Sequence, residues 1–218
     1  MKWILNCSAI PLPRNSSKLF WPAPVFLFIW YFSANSLNRR SGIATYRWLY
    51  RGLETVGKVS IAEWIGSSNM GARLTVKKAA KPFRHVEARY LLEPREFLPY
   101  WLYSRLKGKR DEVVIQVTLR AAPKANFEIT NREIEYPIKN PLAGNQVSQG
   151  SQDVHTDPEE AHLRNTLETF LTEYGPSVEK IIVQREAPHL TIHARIKLLL
   201  RSPADSYFRT LLTLFQDS

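Results

Sequence analysis

Val86-Glu-Ala-Arg-Tyr-Leu-Leu92 alternates Val86, Ala88, Tyr90 and Leu92 with Glu87, Arg89 and Leu91. That is the period of a strand buried on one face. Directly after it, Glu93-Pro94 opens a predicted helix carrying Phe97, Leu98, Trp101, Leu102 and Leu106, and Gly108 ends it. Val113, Ile115, Val117 and Leu119 then define a second strand, Asn126 to Thr130 a third, and Ile134 to Ile138 a further candidate. Asp157-Pro-Glu-Glu160 supplies a side-chain cap, a first-position proline and acids at the positive end of a helix dipole. Leu163, Leu167, Phe170, Leu171 and Tyr174 form the stripe of that helix, and Gly175-Pro176 ends it. Val178 to Gln184 reads as the next strand.

From Val86 to Gln184 the order is therefore strand, helix, strand, strand, helix, strand. This is the split βαβ order, and the expected fold class is α+β, a ferredoxin-like sandwich with sheet on one side and helices on the other. An additional strand follows, with Leu190, Ile192, Ala194, Ile196 and Leu198 on one face, reached by a hairpin at Ala187-Pro-His189. A C-terminal helix capped by Ser202-Pro203 presents Tyr207, Phe208, Leu211, Leu212 and Phe215. Upstream, Lys58 to Trp64 and Arg73 to Lys78 read as short strands around a turn at Gly66 to Gly71. Residues 139–156, rich in Asn, Gln, Ser and Gly, read as a loop within the domain.

Residues 19–38 carry no charge, and the run stops at Arg39-Arg40. The apolar centre is Val25, Phe26, Leu27, Phe28, Ile29, Trp30, Tyr31 and Phe32. Twenty uncharged residues make a helix of about 30 Å, the thickness of bilayer hydrocarbon. Pro22 and Pro24 fit only its first turn, and a start near Pro24 leaves a short span. The expectation is a single transmembrane anchor. The competing readings are a cleaved signal peptide, with Ser33-Ala34 as a small-residue site, and a buried core helix. The chain then divides into an N-terminal segment (1–18), the anchor (19–38), a juxtamembrane helix (39–56) and an α+β domain (57–218). Flanking positive charge favours the domain on the cytosolic side.

The net charge of +10 is uneven. Between Arg73 and Arg110, eleven Lys or Arg stand against three Glu, leaving +8, while residues 157–218 carry −2. Such a field attracts anionic lipid headgroups or nucleic acid, including ribosomal RNA. Cys7 is the one cysteine and precedes the domain, so the domain has no internal disulfide, in keeping with a reducing compartment.

No catalytic constellation is visible. Lys107-Gly-Lys-Arg110 lacks the upstream glycine and the Ser or Thr of a phosphate loop. His189 and His193 are spaced for a helical metal pair but lie on a strand, where a surface position is expected. No cofactor, metal or enzymatic activity is expected. Arg105, Lys107, Lys109 and Arg110 are the candidate anion or ribosome site, with Trp101 and its neighbours facing the core.

Arg39-Arg-Ser-Gly-Ile-Ala-Thr-Tyr-Arg-Trp48, Leu53-Glu54, Asp111-Glu-Val-Val-Ile-Gln-Val-Thr-Leu119 and Phe170-Leu-Thr-Glu-Tyr174, in this order of elements, resemble the calumin-type ER membrane proteins. These belong to the PAT complex of the multipass translocon. The resemblance implies a non-enzymatic insertion factor or chaperone beside the Sec translocon, with a small Asterix-like membrane partner and the ribosome nearby. It implies a single-pass protein of the ER membrane if eukaryotic, or of the cytoplasmic membrane if archaeal. The acidic luminal region and the Lys-rich C-terminal coiled coil of that family have no counterpart here, so calcium binding and ribosome contact through a tail do not carry over. The alternative is a membrane-tethered module that binds RNA or anionic lipid.

Overall fold

Among the described residues, alternating burial builds a sheet of seven strands. β3 (Phe83–Leu91) buries Val86, Ala88 and Tyr90, and β4 (Glu112–Leu119) buries Val113, Ile115, Val117 and Leu119. The two pair antiparallel with Val86 opposite Val117 and Ala88 opposite Ile115, so their inward side chains meet on one face. The structure, a computed structural model, describes residues 22–123, 126–130, 167 and 169–215. Its other strands are β1 (Ile61–Trp64), β2 (Gly71–Val76), β5 (Phe127–Thr130), β6 (Val178–Val183) and β7 (Leu190–Arg195). They run in the order β1-β2-β3-β4-β7-β6-β5, and every neighbouring pair is antiparallel.

The fold is α+β, but it is not ferredoxin-like. A split βαβ unit makes its first and second strands parallel and inserts the third between them, here β5 between β3 and β4. Instead β4 lies against β3, and β5 stands at the far edge beside β6. The physical reason lies in α2 (Leu98–Leu106), whose one buried residue is Ser104. A crossover helix must bury an apolar stripe on the sheet. This helix does not, so it decorates an antiparallel hairpin. The additional strand β7 then takes a central place between β4 and β6. It ends at Arg195, and Ile196–Leu199 forms a single helical turn, α4, rather than the end of the strand.

One face of the sheet is covered by the C-terminal half of α1 (Pro22–Val56), by α3 (described at residues 167 and 169–174) and by α5 (Ala204–Leu214). Leu49, Leu53 and Val56 of α1 are fully buried. Trp48 sits 5.6 Å from the Tyr207 ring and 5.8 Å from that of Phe208, and its indole N–H donates to the Ser202 carbonyl at 2.7 Å. Tyr207 in turn meets Phe170 at 5.2 Å and Tyr174 at 5.0 Å. This aromatic seam holds α1 to α5 and α3. His189, expected at the surface, is buried and accepts the Leu119 N–H on Nδ1 at 2.9 Å.

The transmembrane anchor is overturned: among the described residues no helix is long and apolar enough to cross a membrane. Residues 22–56 form one helix, with Arg39 and Arg40 exposed in its middle rather than at its end. The unbroken apolar run, Val25 to Phe32, spans only about 12 Å. Beyond it the helix joins the domain, for Ala34 and Asn38 are buried and Asn38 is hydrogen bonded to Glu93. The segment lacks charge, but Asn35 and Asn38 bind Asn69 and Glu93 of the domain. Leu19 to Trp21, the candidate strand Ile134 to Ile138, the loop 139–156 and the helix start at Asp157 lie outside the described residues.

Candidate docking surface

Eight consecutive apolar residues on a helix point in every direction, because each is turned about 100° from the last. Such a helix is normally buried. Here Val25, Phe26, Leu27, Phe28, Ile29, Tyr31 and Phe32 are between 48 % and 64 % exposed, and Trp30 alone reaches the body of the protein. The N-terminal turns of α1 thus project as an apolar prong. Trp30 packs on Trp101 of α2 at 5.4 Å, and its indole N–H donates to the Arg95 carbonyl at 2.9 Å.

α2 extends the same surface. Phe97, Tyr100, Leu102, Tyr103 and Leu106 are exposed, contrary to the expectation that the aromatic residues of this helix face the core. Only Trp101 is partly covered. Large exposed apolar patches mark contact surfaces, and this one joins two helices.

The sequence-predicted cations sit at the C-terminal end of α2. The Arg105 guanidinium lies 5.7 Å from the Trp101 ring, and the Lys107 ammonium 4.8 Å from that of Tyr103. A hydrogen bond donated by Lys107 to the Tyr103 oxygen pushes the Lys107 pKa up, so its charge is firmly held. Gly108, at φ +79°, closes the helix in the left-handed conformation that glycine tolerates. Arg110 donates to the carbonyls of Lys109 at 2.8 Å and Arg105 at 3.3 Å, satisfying the helix end. Lys109 is exposed beside them. The structure therefore brings the apolar run and the cation cluster, far apart in sequence, onto adjoining helices.

What joins them is a polar latch that sequence reasoning missed. Asn38 donates to the Glu93 carbonyl at 2.8 Å. The Glu93 N–H donates to Asp111 Oδ1 at 2.8 Å, and Asp111 is also ion-paired with Arg95. Asn69 bridges Asn35 of α1, at 2.7 Å, and Glu96, at 2.9 Å. Glu93 is not the start of a helix, as expected, but the buried link between β3 and α2. Among the described residues its carboxylate oxygens have no hydrogen-bond partner, nor do Asn38 Oδ1 and Trp101 Nε1. Burial first, and Asp111 second, push the Glu93 pKa above its ordinary 4.5, against the pull of Arg105, Arg95 and Arg110.

The sign for stability follows. A carboxyl with a raised folded-state pKa holds its proton more tightly folded than unfolded. Its contribution is fully present below pH 4.5 and is lost as pH rises through the folded value. Glu93→Gln is therefore expected to match the parent near about pH 4 and to exceed it near about pH 8 in urea midpoint. Equal midpoints for the two proteins at both pH values would contradict this placement of Glu93.

The open face of the sheet offers a contrast. Several of its charges are paired on the sheet itself, Arg73 with Glu87 and Glu63, Lys180 with Glu128, His193 with Glu112, and Arg195 with Glu179, while Arg89 is exposed beside Arg73. Its outward positions on β3, β4 and β7, from His85 to Leu91, Glu112 to Thr118 and Thr191 to Arg195, carry no Phe, Tyr or Trp. A single-stranded nucleic acid would find no aromatic stacking platform on these strands. Among the described residues no group of three or more His, Cys, Asp or Glu is placed to hold a metal ion.

Compared with known proteins, the chain matches no family model and no curated sequence.

Proposed function

We propose that this protein is a non-enzymatic docking module that works at the cytosolic face of a membrane in membrane-protein insertion. The observation that carries the reading is the Trp30–Trp101 contact, which sets the apolar prong of α1 beside the cation cluster of α2. An exposed apolar surface rimmed by positive charge suits a partner that is oily within and anionic at its boundary. The resemblance to calumin-type proteins supplies the biological setting: the translocon, a small membrane partner and multispanning clients. Arg105, Lys107, Lys109 and Arg110 then face the membrane boundary rather than ribosomal RNA, because they adjoin the prong.

Photo-crosslinking tests this reading. A photoreactive residue at Leu102, exposed on α2, is expected to yield adducts with translocon subunits or nascent multispanning chains in translating membranes. The same probe at Gln116, on the open face of the sheet, is expected to yield none. Equal labelling from both positions, or no such adduct from Leu102, would overturn the insertion role.

A further inference from the structure

We infer that the prong and α2 seat directly on an anionic phospholipid bilayer, the prong entering one leaflet without crossing the membrane. This rests on the docking reading above and names its partner. Three observations carry it.

The first is circumference. A protein groove covers one stripe of a helix, typically positions three and four apart. Val25 to Phe32 is exposed at seven of its eight positions, on every side of α1. Hydrocarbon is a partner that can surround a helix on all sides at once. The second is length, since about 12 Å of apolar helix reaches less than half-way through a hydrocarbon core of about 30 Å. The third is the boundary. Below the apolar turns come Ser33, Asn35 and Ser36, then exposed Arg39 and Arg40. Trp30 and Tyr31 stand near the end of the apolar run, and Tyr100 and Tyr103 are exposed on α2, side chains with an apolar body and a polar tip that suit the headgroup layer. Charge complementarity selects the lipid. No Asp or Glu occurs from residue 1 to 53 or from 97 to 110, whereas Arg39, Arg40, Arg105, Lys107, Lys109 and Arg110 all do. Of the acids that flank these stretches, Glu93 and Asp111 are buried and Glu96 accepts a hydrogen bond from Asn69.

The test is flotation of the full chain with vesicles of phosphatidylcholine alone, or of phosphatidylcholine and phosphatidylserine in equal parts. The chain is expected to float with the phosphatidylserine vesicles and to be released by salt. Lys107→Gln with Lys109→Gln should lower partition about 30-fold, at about 1 kcal/mol per cation. Phe26→Ser with Phe28→Ser should lower it about 100-fold. These two side chains are more than half exposed, and their ring contacts among the described residues are with Trp30 and Phe32, so an unchanged urea midpoint is the accompanying control. Equal flotation with both vesicle types overturns the anionic selection. Failure to float with either overturns the inference, and persisting Leu102 adducts with translocon subunits would leave the docking reading intact. A dimer in light scattering that Phe26→Ser with Phe28→Ser dissociates also overturns it, because a second copy would then cover the prong.

Discussion

Replacing Asp111 by alanine is expected to lower stability by about 3–5 kcal/mol, the range for removing one partner of a buried ion pair. The Asp111 side chain is 7 % exposed and that of Arg95 16 %. Asp111 also accepts the Glu93 N–H, so the change strands a guanidinium and a backbone donor together. At about 2–4 °C per kcal/mol for a chain of this size, the thermal midpoint should fall by about 10 °C. The Glu93 carboxylate already attracts Arg95, and losing Asp111 removes one of the two causes that raise its pKa. The deficit should therefore be smaller near about pH 8 than near about pH 4. A midpoint within 2 °C or so of the parent would mean that the latch does not hold α2 in place.

The second large effect belongs to the seam between α1 and α5. Phe208→Ala is expected to cost about 3–5 kcal/mol, as for other buried aromatic rings. Phe208 is fully buried and packs against Tyr207 at 5.6 Å and Trp48 at 5.8 Å. Gly52 explains how α1 comes so close, because a Cβ there would run into the Phe208 ring and touch Ala204. Gly52→Ala alone should therefore overpack the seam and destabilise by about 1–3 kcal/mol. In the Phe208→Ala background the same methyl enters the vacated space. The double variant should be less destabilised than the sum of the singles by about 1 kcal/mol or more. Simple additivity in urea denaturation would contradict the packing of Gly52 on Phe208.

Much of the architecture was legible one element at a time. Alternation located β3, β4, β6 and β7, and Gly108 marked the end of α2, because burial on one face imposes a period that single residues report. Topology was not legible, since alternation says which face a residue occupies and not which strand lies beside it. The order of elements fits both a split βαβ unit and an antiparallel hairpin. What separates them is the exposed face of α2, which only its surroundings reveal. The membrane span failed for a related reason. Asn35 and Asn38 count as uncharged in a hydropathy reading, yet their amides bind Asn69 and Glu93 in the domain. Arg39-Arg40 lies exposed in the middle of a helix, not at its end. The cations of the surface were visible as a cluster. The latch was not, for Asn38, Glu93 and Asp111 are brought together only by the fold.

The most direct measurement places a nitroxide on the full chain at Phe28→Cys or at Arg47→Cys, each with Cys7→Ser. The two positions lie on the same helix, separated by about 28 Å at the α-helical rise. On adding phosphatidylserine-containing vesicles, the label at position 28 should gain accessibility to oxygen and lose it to a water-soluble nickel chelate. The label at position 47 should change in neither. No change at position 28, or the same change at both, would contradict an apolar prong that enters one leaflet of an anionic membrane.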